Sequence, residues 1–219
     1  MNSILLYRDE MRGFFRSKVI IVLAVGLPLL VFLLRLVRPD TEGMPFFAFT
    51  AILIASIGGT LGAVLLSTAL TSERGRHVYD LFLIRPVRRS ELILSKYFAA
   101  LTALLLTAIL ALLVGFGADV IAGRPAIDIV VDGLQPVVLS LAGMAIACSA
   151  GVLLGVLLDS VAGSAILAVY LGNQLSAFAV LPSALAPQLP VIPIAAAVGI
   201  AVPVAVLTVA VAVFRRKTV

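Results

Sequence analysis

From Ser160 to Phe214 the chain runs for 55 residues without one charged side chain. As a single helix this stretch would be about 80 Å long at 1.5 Å per residue, whereas the hydrocarbon of a bilayer is only about 30 Å thick. It has to fold back on itself. The break lies in "LPSALAPQLPVIP", where Pro182, Pro187, Pro190 and Pro193 remove backbone donors and restrict the residues that precede them. Two spans follow, at about 160–181 and 191–214.

Four more charge-poor stretches are long enough to cross a membrane. They are 19–37, 44–72, 97–118 and 133–158, and only the first carries a charge, Arg35, near its end, where a long side chain reaches the head groups. Composition agrees. At 62% hydrophobic and 12% charged residues, with a mean hydropathy of +1.21, the chain has far too little charge to hide its apolar side chains in a water-soluble core. The fold class is therefore all-α: one polytopic transmembrane domain over residues 1–219, with six spans. The net charge of +5 does not point to nucleic acid, because the basic residues lie in the gaps between apolar runs. Cys148 is the sole cysteine, which forbids an internal disulfide, and its apolar surroundings make it packing material.

Basic residues also set the orientation. Arg8, Arg12, Arg16 and Lys18 precede the first span; Arg74, Arg76, Arg85, Arg88, Arg89 and Lys96 lie between the second and third; Arg215, Arg216 and Lys217 follow the sixth. The other side receives Arg35, Arg38 and Arg124, together with Asp40, Glu42, Asp119, Asp128 and Asp132. Both termini are expected to be cytoplasmic, which requires an even number of spans. The first span follows a charged stretch and ends in "LLRLVRPD" without a small-residue cleavage site, so it is expected to be retained.

The first eighteen residues have helical periodicity. Ile4, Tyr7, Met11 and Phe14 recur at three- and four-residue steps, and Arg8, Arg12 and Arg16 form a row at i, i+4 and i+8. This suits an amphipathic helix lying in the interface, aromatics toward lipid and arginines toward phosphates; an orientation signal with no further role fits the spacing equally well.

Between the second and third spans, "SERGRHVYDLFLIRPVRRSELILSK" concentrates six of the sixteen Lys and Arg, three acids and the only histidine, His77. Val78, Leu81 and Phe82 would form an apolar side on a short helix beginning after Gly75. Arg85 before Pro86 should end it, and Ser90 then looks like the N-cap of a helix that continues through Lys96 into the third span. A solvated loop that merely obeys the positive-inside rule is the plainer alternative.

This segment resembles the signature of ATP-binding-cassette type-2 (ABC-2) exporter permeases. Their pattern is an acid and a glycine ending the second span, a short apolar helix, a proline, a basic or hydroxyl pair, and a lysine entering the third span. Glu73, Gly75, Leu81, Pro86, Arg88 with Arg89, and Lys96 occupy those places. "YRDEMRGFFRSK" is similarly like the family's elbow helix before the first span. The resemblance implies a permease in the plasma (inner) membrane that forms a translocation route as a homo- or heterodimer, in contact with membrane lipid. Two copies of a separate ATP-binding subunit, which carries the ATP and Mg, would dock on Glu73, Arg74, Gly75, Val78, Tyr79, Leu81, Phe82, Arg85, Pro86, Arg88, Arg89 and Lys96. No cofactor is implied for this chain itself. The chain departs from many relatives in the short proline-rich segment between the fifth and sixth spans, which leaves little room for re-entrant helices.

The residues are consistent with a non-enzymatic subunit. No Gly-x-x-x-x-Gly-Lys phosphate loop occurs; Gly58 with Gly62, and Gly151 with Gly155, lie within spans and signal close helix packing. An ion-gradient-driven transporter or channel subunit is the main alternative, weakened because no acid lies centrally in a span and Asp159 sits at a hairpin. An intramembrane hydrolase lacks its histidine pair or base. Asn173 and Gln174, a double amide near the middle of the fifth span, need a partner, a cavity or each other across a dimer. They are candidates for the translocation route, against an ordinary interhelical hydrogen bond worth about 0.6 kcal/mol.

Overall fold

The computed structural model describes residues 3–16, 18–37, 44–75, 89–179 and 190–216. Among them there is no strand. The helices are α1 (Ser3–Arg16), α2 (Lys18–Val37), α3 (Phe46–Gly75), α4 (Arg89–Ile121), α5 (Ala126–Leu157), α6 (Val161–Ser176, prolonged by a 3-10 turn at Ala177–Ala179) and α7 (Val191–Arg216). Six, α2 to α7, are long and apolar enough to cross a membrane. The short helix expected after Gly75 falls outside the described residues, as do His77 and most of the proline-rich break.

Three helices are longer than their charge-free runs. α3, α4 and α5 have 30, 33 and 32 residues, or roughly 45–50 Å, some 15–20 Å more than the hydrocarbon requires. A hydropathy pattern marks only the part of a helix that meets lipid. Backbone hydrogen bonding carries the helix onward through charged residues, so the expected bounds 97–118 and 133–158 describe the interiors of longer elements, while the run 44–72 starts two residues before α3 and is outrun by it only at its far end, through Glu73 and Arg74 to Gly75. α4 begins at Arg89, one residue before the position at which Ser90 could cap it. α5 begins just after Pro125, with Asp128 in its first turn, where the amide dipoles favour an acid. The connection between α4 and α5 is thus a tight turn through Gly123, whose φ of +84° is open to glycine at little cost. Pro28, Pro136 and Pro203 all sit inside helices that run on past them.

α5 is the most buried helix and the centre of the bundle; α2, α6 and α7 are the least buried. Lipid is as apolar as leucine, so nothing hydrophobic drives these helices together, and close approach of backbones takes its place. α5 meets α3 along a seam of small residues. A methyl group on Gly151 would be driven into the Ala63 carbonyl, and one on Gly155 would stand 2.8 Å from Leu70 Cβ and 2.9 Å from the Ser67 carbonyl oxygen. On the facing side, a methyl on Gly62 would stand 2.5 Å from Leu104 Cδ1 and 2.7 Å from Sγ of the fully buried Cys148. The same small-residue logic seats α7 and α6. A Cβ on Gly199 would lie 2.6 Å from Ala142 Cβ, and one on Gly172 3.0 Å from Ala63 Cβ.

Hydroxyls in the bundle interior look after themselves. Thr50, Thr71, Thr107, Ser149 and Ser164 each donate to a carbonyl three or four residues back in the same helix. Among the described residues no buried side-chain nitrogen or oxygen lacks a partner, as a low-dielectric interior demands.

Gly151→Leu is expected to destabilise the bundle by about 3 kcal/mol, because the clash is with backbone that cannot turn aside. Gly117→Ala, where a methyl meets nothing within 4 Å, is expected to be neutral. The temperature at which buried Cys148 becomes reactive to a maleimide dye in detergent measures both.

Candidate functional site

Apart from the Tyr97 hydroxyl, which donates to the Ala145 carbonyl within α5 at 3.2 Å, most interhelical polar contacts lie toward the two ends of the bundle, and the more elaborate set lies at the basic end. The face of α1 bearing Leu6, Tyr7, Glu10 and Phe14 turns toward the bundle: Leu6 is buried, Phe14 packs on the main core, and the Tyr7 hydroxyl donates to Thr102 Oγ1 at 3.0 Å. Tyr7 and Phe14, expected to face lipid, are therefore committed to protein, and Met11 is half-buried. Exposure falls instead to Leu5, Arg8, Arg12 and Phe15. The reason is that α1 is long enough to lie along α4, its principal neighbour, and protein packing uses the same apolar stripe that lipid would have met. Of Arg16 and Arg89 only the helical backbone is described.

Glu10 is the anomaly on that stripe. Its carboxylate accepts from Lys96 Nζ at 2.7 Å, and the same ammonium donates to Glu73 at 2.7 Å. Lys96 is only 8% exposed, with Glu10 and Glu73 at 24% and 29%. One ammonium thus joins α1, the end of α3 and the start of α4. A lone lysine so placed would be costly; two charge-assisted hydrogen bonds offset the desolvation.

Arg74 makes the neighbouring connection. Its guanidinium donates to the Val156 carbonyl and, at 3.3 Å, to the Leu158 carbonyl, and it pairs with Asp159 in the turn before α6. This satisfies acceptors left open at the end of α5, where the helix dipole also favours a cation. Thr71 adds a 3.3 Å bond to the Gly155 carbonyl. Asp159 thereby has a turn role, as its hairpin position suggested, while Ser160 is the N-cap of α6, accepting from the Gly163 amide at 3.3 Å.

The structure thus brings together Glu73, Arg74 and Lys96 of the expected docking set, and it occupies all three within the chain. Gly75 ends α3 in the open. Val78, Tyr79, Leu81, Phe82, Arg85, Pro86 and Arg88 lie outside the described residues. What is seen is the two stems of segment 76–88, joined by the Glu73–Lys96 pair and anchored to α1 and α5.

At the opposite end a buried carboxylate holds α3 from outside its own helix. Asp119, near the end of α4, accepts from the Phe46 and Phe47 amides at 3.0 and 2.8 Å. It acts as an N-cap supplied in trans. The Arg35 guanidinium stands 5.4 Å from the Phe46 ring centroid, a cation–π distance.

Asn173 and Gln174 prove to lie in the last turn of α6, near this second end and not at mid-helix, because α6 stops at Ser176. Both are exposed. Asn173 lines a cavity of about 460 Å³ between α3, α5 and α6, which also takes in Ser56, Gln135, Ser140 and Ser176 among apolar walls; Gln174 is not part of it. Among the described residues there is no cluster of three metal-ligating side chains.

Lys96→Met would leave two carboxylates facing each other at a partly buried site, and is expected to cost roughly 3 kcal/mol, the low end for a broken buried pair. Arg12→Ala, on the exposed face of α1, should stay within about 0.5 kcal/mol. Thermal unfolding in detergent distinguishes the two.

No curated protein matches the chain. The sequence profile of ABC-2 family transporter proteins matches residues 10–176. That stretch runs from the carboxylate that reaches Lys96 to the end of α6, through five of the six spans. With the profile covering most of its length, this multi-pass membrane chain belongs to the ABC-2 family of transporter proteins and is a transport subunit of the permease kind.

Proposed function

We propose that the chain is the membrane-spanning half of an exporter in the plasma (inner) membrane, driven by two copies of a separate ATP-binding subunit that dock on segment 76–88. The observation that carries this is the joining of that segment's two stems: Glu73 and Lys96 pair across it, and Arg74 ties it to the end of α5. A push on the segment would then reach α3, α4 and α5 together. Since Arg74 and Lys96 are satisfied internally, their part is to hold the stems. The apolar face of Val78, Leu81 and Phe82 is left to meet the partner.

A second permease chain, identical or related, would complete the route. α2 and α6 are thinly buried and leave Val25, Leu29, Phe32, Leu167 and Tyr170 open to lipid or to such a chain. The cavity beside Asn173 is of a size for a small ligand. Its apolar walls, with amides and hydroxyls, suit an uncharged or amphipathic cargo better than an ion.

Leu81→Glu is expected to weaken association of the ATP-binding subunit at least about tenfold, as loss of a central apolar anchor does, with the unfolding temperature of the permease unchanged. Undiminished association would contradict docking at this face. In reconstituted vesicles, transport should require ATP and the partner and should not run on an imposed proton or sodium gradient. Asn173→Leu is expected to lower or redirect efflux from cells without altering partner binding; efflux unchanged in rate and selectivity would return Asn173 to a packing role.

A further inference from the structure

We infer that Glu10, acting through Lys96, is a positioning residue that makes α1 a moving part of the coupling machinery, displaced together with the inner ends of α3 and α4. This rests on the permease function proposed above and adds to it a carboxylate outside the segment expected to touch the ATP-binding subunit.

The geometry around the triad carries the inference. α1 packs along α4 and touches α2, but its backbone does not come near α3. Between α1 and α3 lies an open cavity of about 410 Å³, bounded by Gly13, Phe14, Leu65 and Val161 as well as by the three charged groups. A methyl on Gly13 would meet nothing within 4 Å. Among the described residues, the charged bridge from Glu10 through Lys96 to Glu73, at 2.7 Å on each side, spans this gap.

A joint of this chemistry suits motion better than a packed apolar contact would. Interdigitated side chains have one good register and lose contact within an ångström. A lysine ammonium is a compact charge with three donors on a flexible four-carbon stem, so it can keep both carboxylates while the helices shift around it. Apolar residues of similar volume would hold three static helices as well or better, since a buried ion pair is weak support for stability alone. The open cavity beside the triad means that this side of the bridge is not packed by the described residues of the chain. On the far side of Lys96, Glu73 stands three residues before segment 76–88. A displacement of that segment therefore arrives at Lys96 from α3 and α4 at once and passes to α1 through Glu10.

The test uses the full permease with its ATP-binding subunit in lipid nanodiscs, carrying an environment-sensitive fluorophore on Phe15→Cys, an exposed position of α1. Buried Cys148 stays unlabelled in the folded protein. Addition of Mg-ATP should change the signal in the parent complex. Glu10→Gln should reduce that change about tenfold, with ATP hydrolysis by the partner preserved, and Glu10→Asp, which keeps the charge, should restore much of it. Hydrogen exchange of the α1 amides in the same samples should show α1 still helical on α4 in Glu10→Gln. A full response in Glu10→Gln, or a label that stays still in a parent complex hydrolysing ATP, would overturn the inference. So would unravelling of α1 in Glu10→Gln, which would make Glu10 a residue that only holds the fold. Failure of any ATP-binding subunit to associate would instead remove the permease function on which the inference stands.

Discussion

Everything in this bundle depends on how closely α3 and α5 approach. In hydrocarbon the usual driving force for burying apolar side chains is missing, so helices associate through dispersion between backbones that small residues allow to touch. Gly62, Gly151 and Gly155 supply that contact, and Gly172 and Gly199 extend it to α6 and α7. Had α5 carried larger side chains, its four neighbours could not share one centre. The seam is rigid at Gly151 and Gly155, because there the backbone of α5 meets the backbone of α3 at Ala63 and Ser67. A force applied to one end of α3 is therefore carried along both helices.

The second constraint is the exclusion of charge from the hydrocarbon, which gathers the ionised groups at the bundle ends and lets them meet there. At the basic end they connect elements that share no glycine seam: Lys96 gathers α1, α3 and α4, while Arg74 closes the end of α5 against the turn into α6. At the other end Asp119 performs the same service for the first amides of α3. A rigid middle and ion-tied ends fit the proposed reading, in which the motion comes from a separate subunit.

Much of the architecture was legible in the sequence because its signal is local. Charge-poor runs marked all six spans, the proline cluster after Ala179 split the 55-residue run in two, and paired glycines marked the seam. Helix ends were less legible, since Asp119 and Asp128 read as loop residues until the long helices carry them. The candidate site was legible by half. Glu73 and Lys96 stood in a recognisable pattern, but their third partner is 86 residues from Lys96, and no pairing at that distance is readable from one chain. The clue was small: Glu10 interrupts an otherwise apolar stripe between Leu6 and Phe14, as Lys96 interrupts one between Ile93 and Ala100. Asp119 gave no clue at all, because a cap supplied from 73 residues away looks like any loop acid.

The central claim is that this chain is a passive bundle worked by separate ATP-binding subunits through its basic end. Native mass spectrometry of the protein, purified gently from its own membrane, tests it most directly. The account predicts an assembly holding two permease chains and two subunits with a phosphate-binding loop, from which those subunits are lost when segment 76–88 is replaced by a flexible linker. A transport-competent assembly of this chain containing no ATP-binding subunit would contradict it.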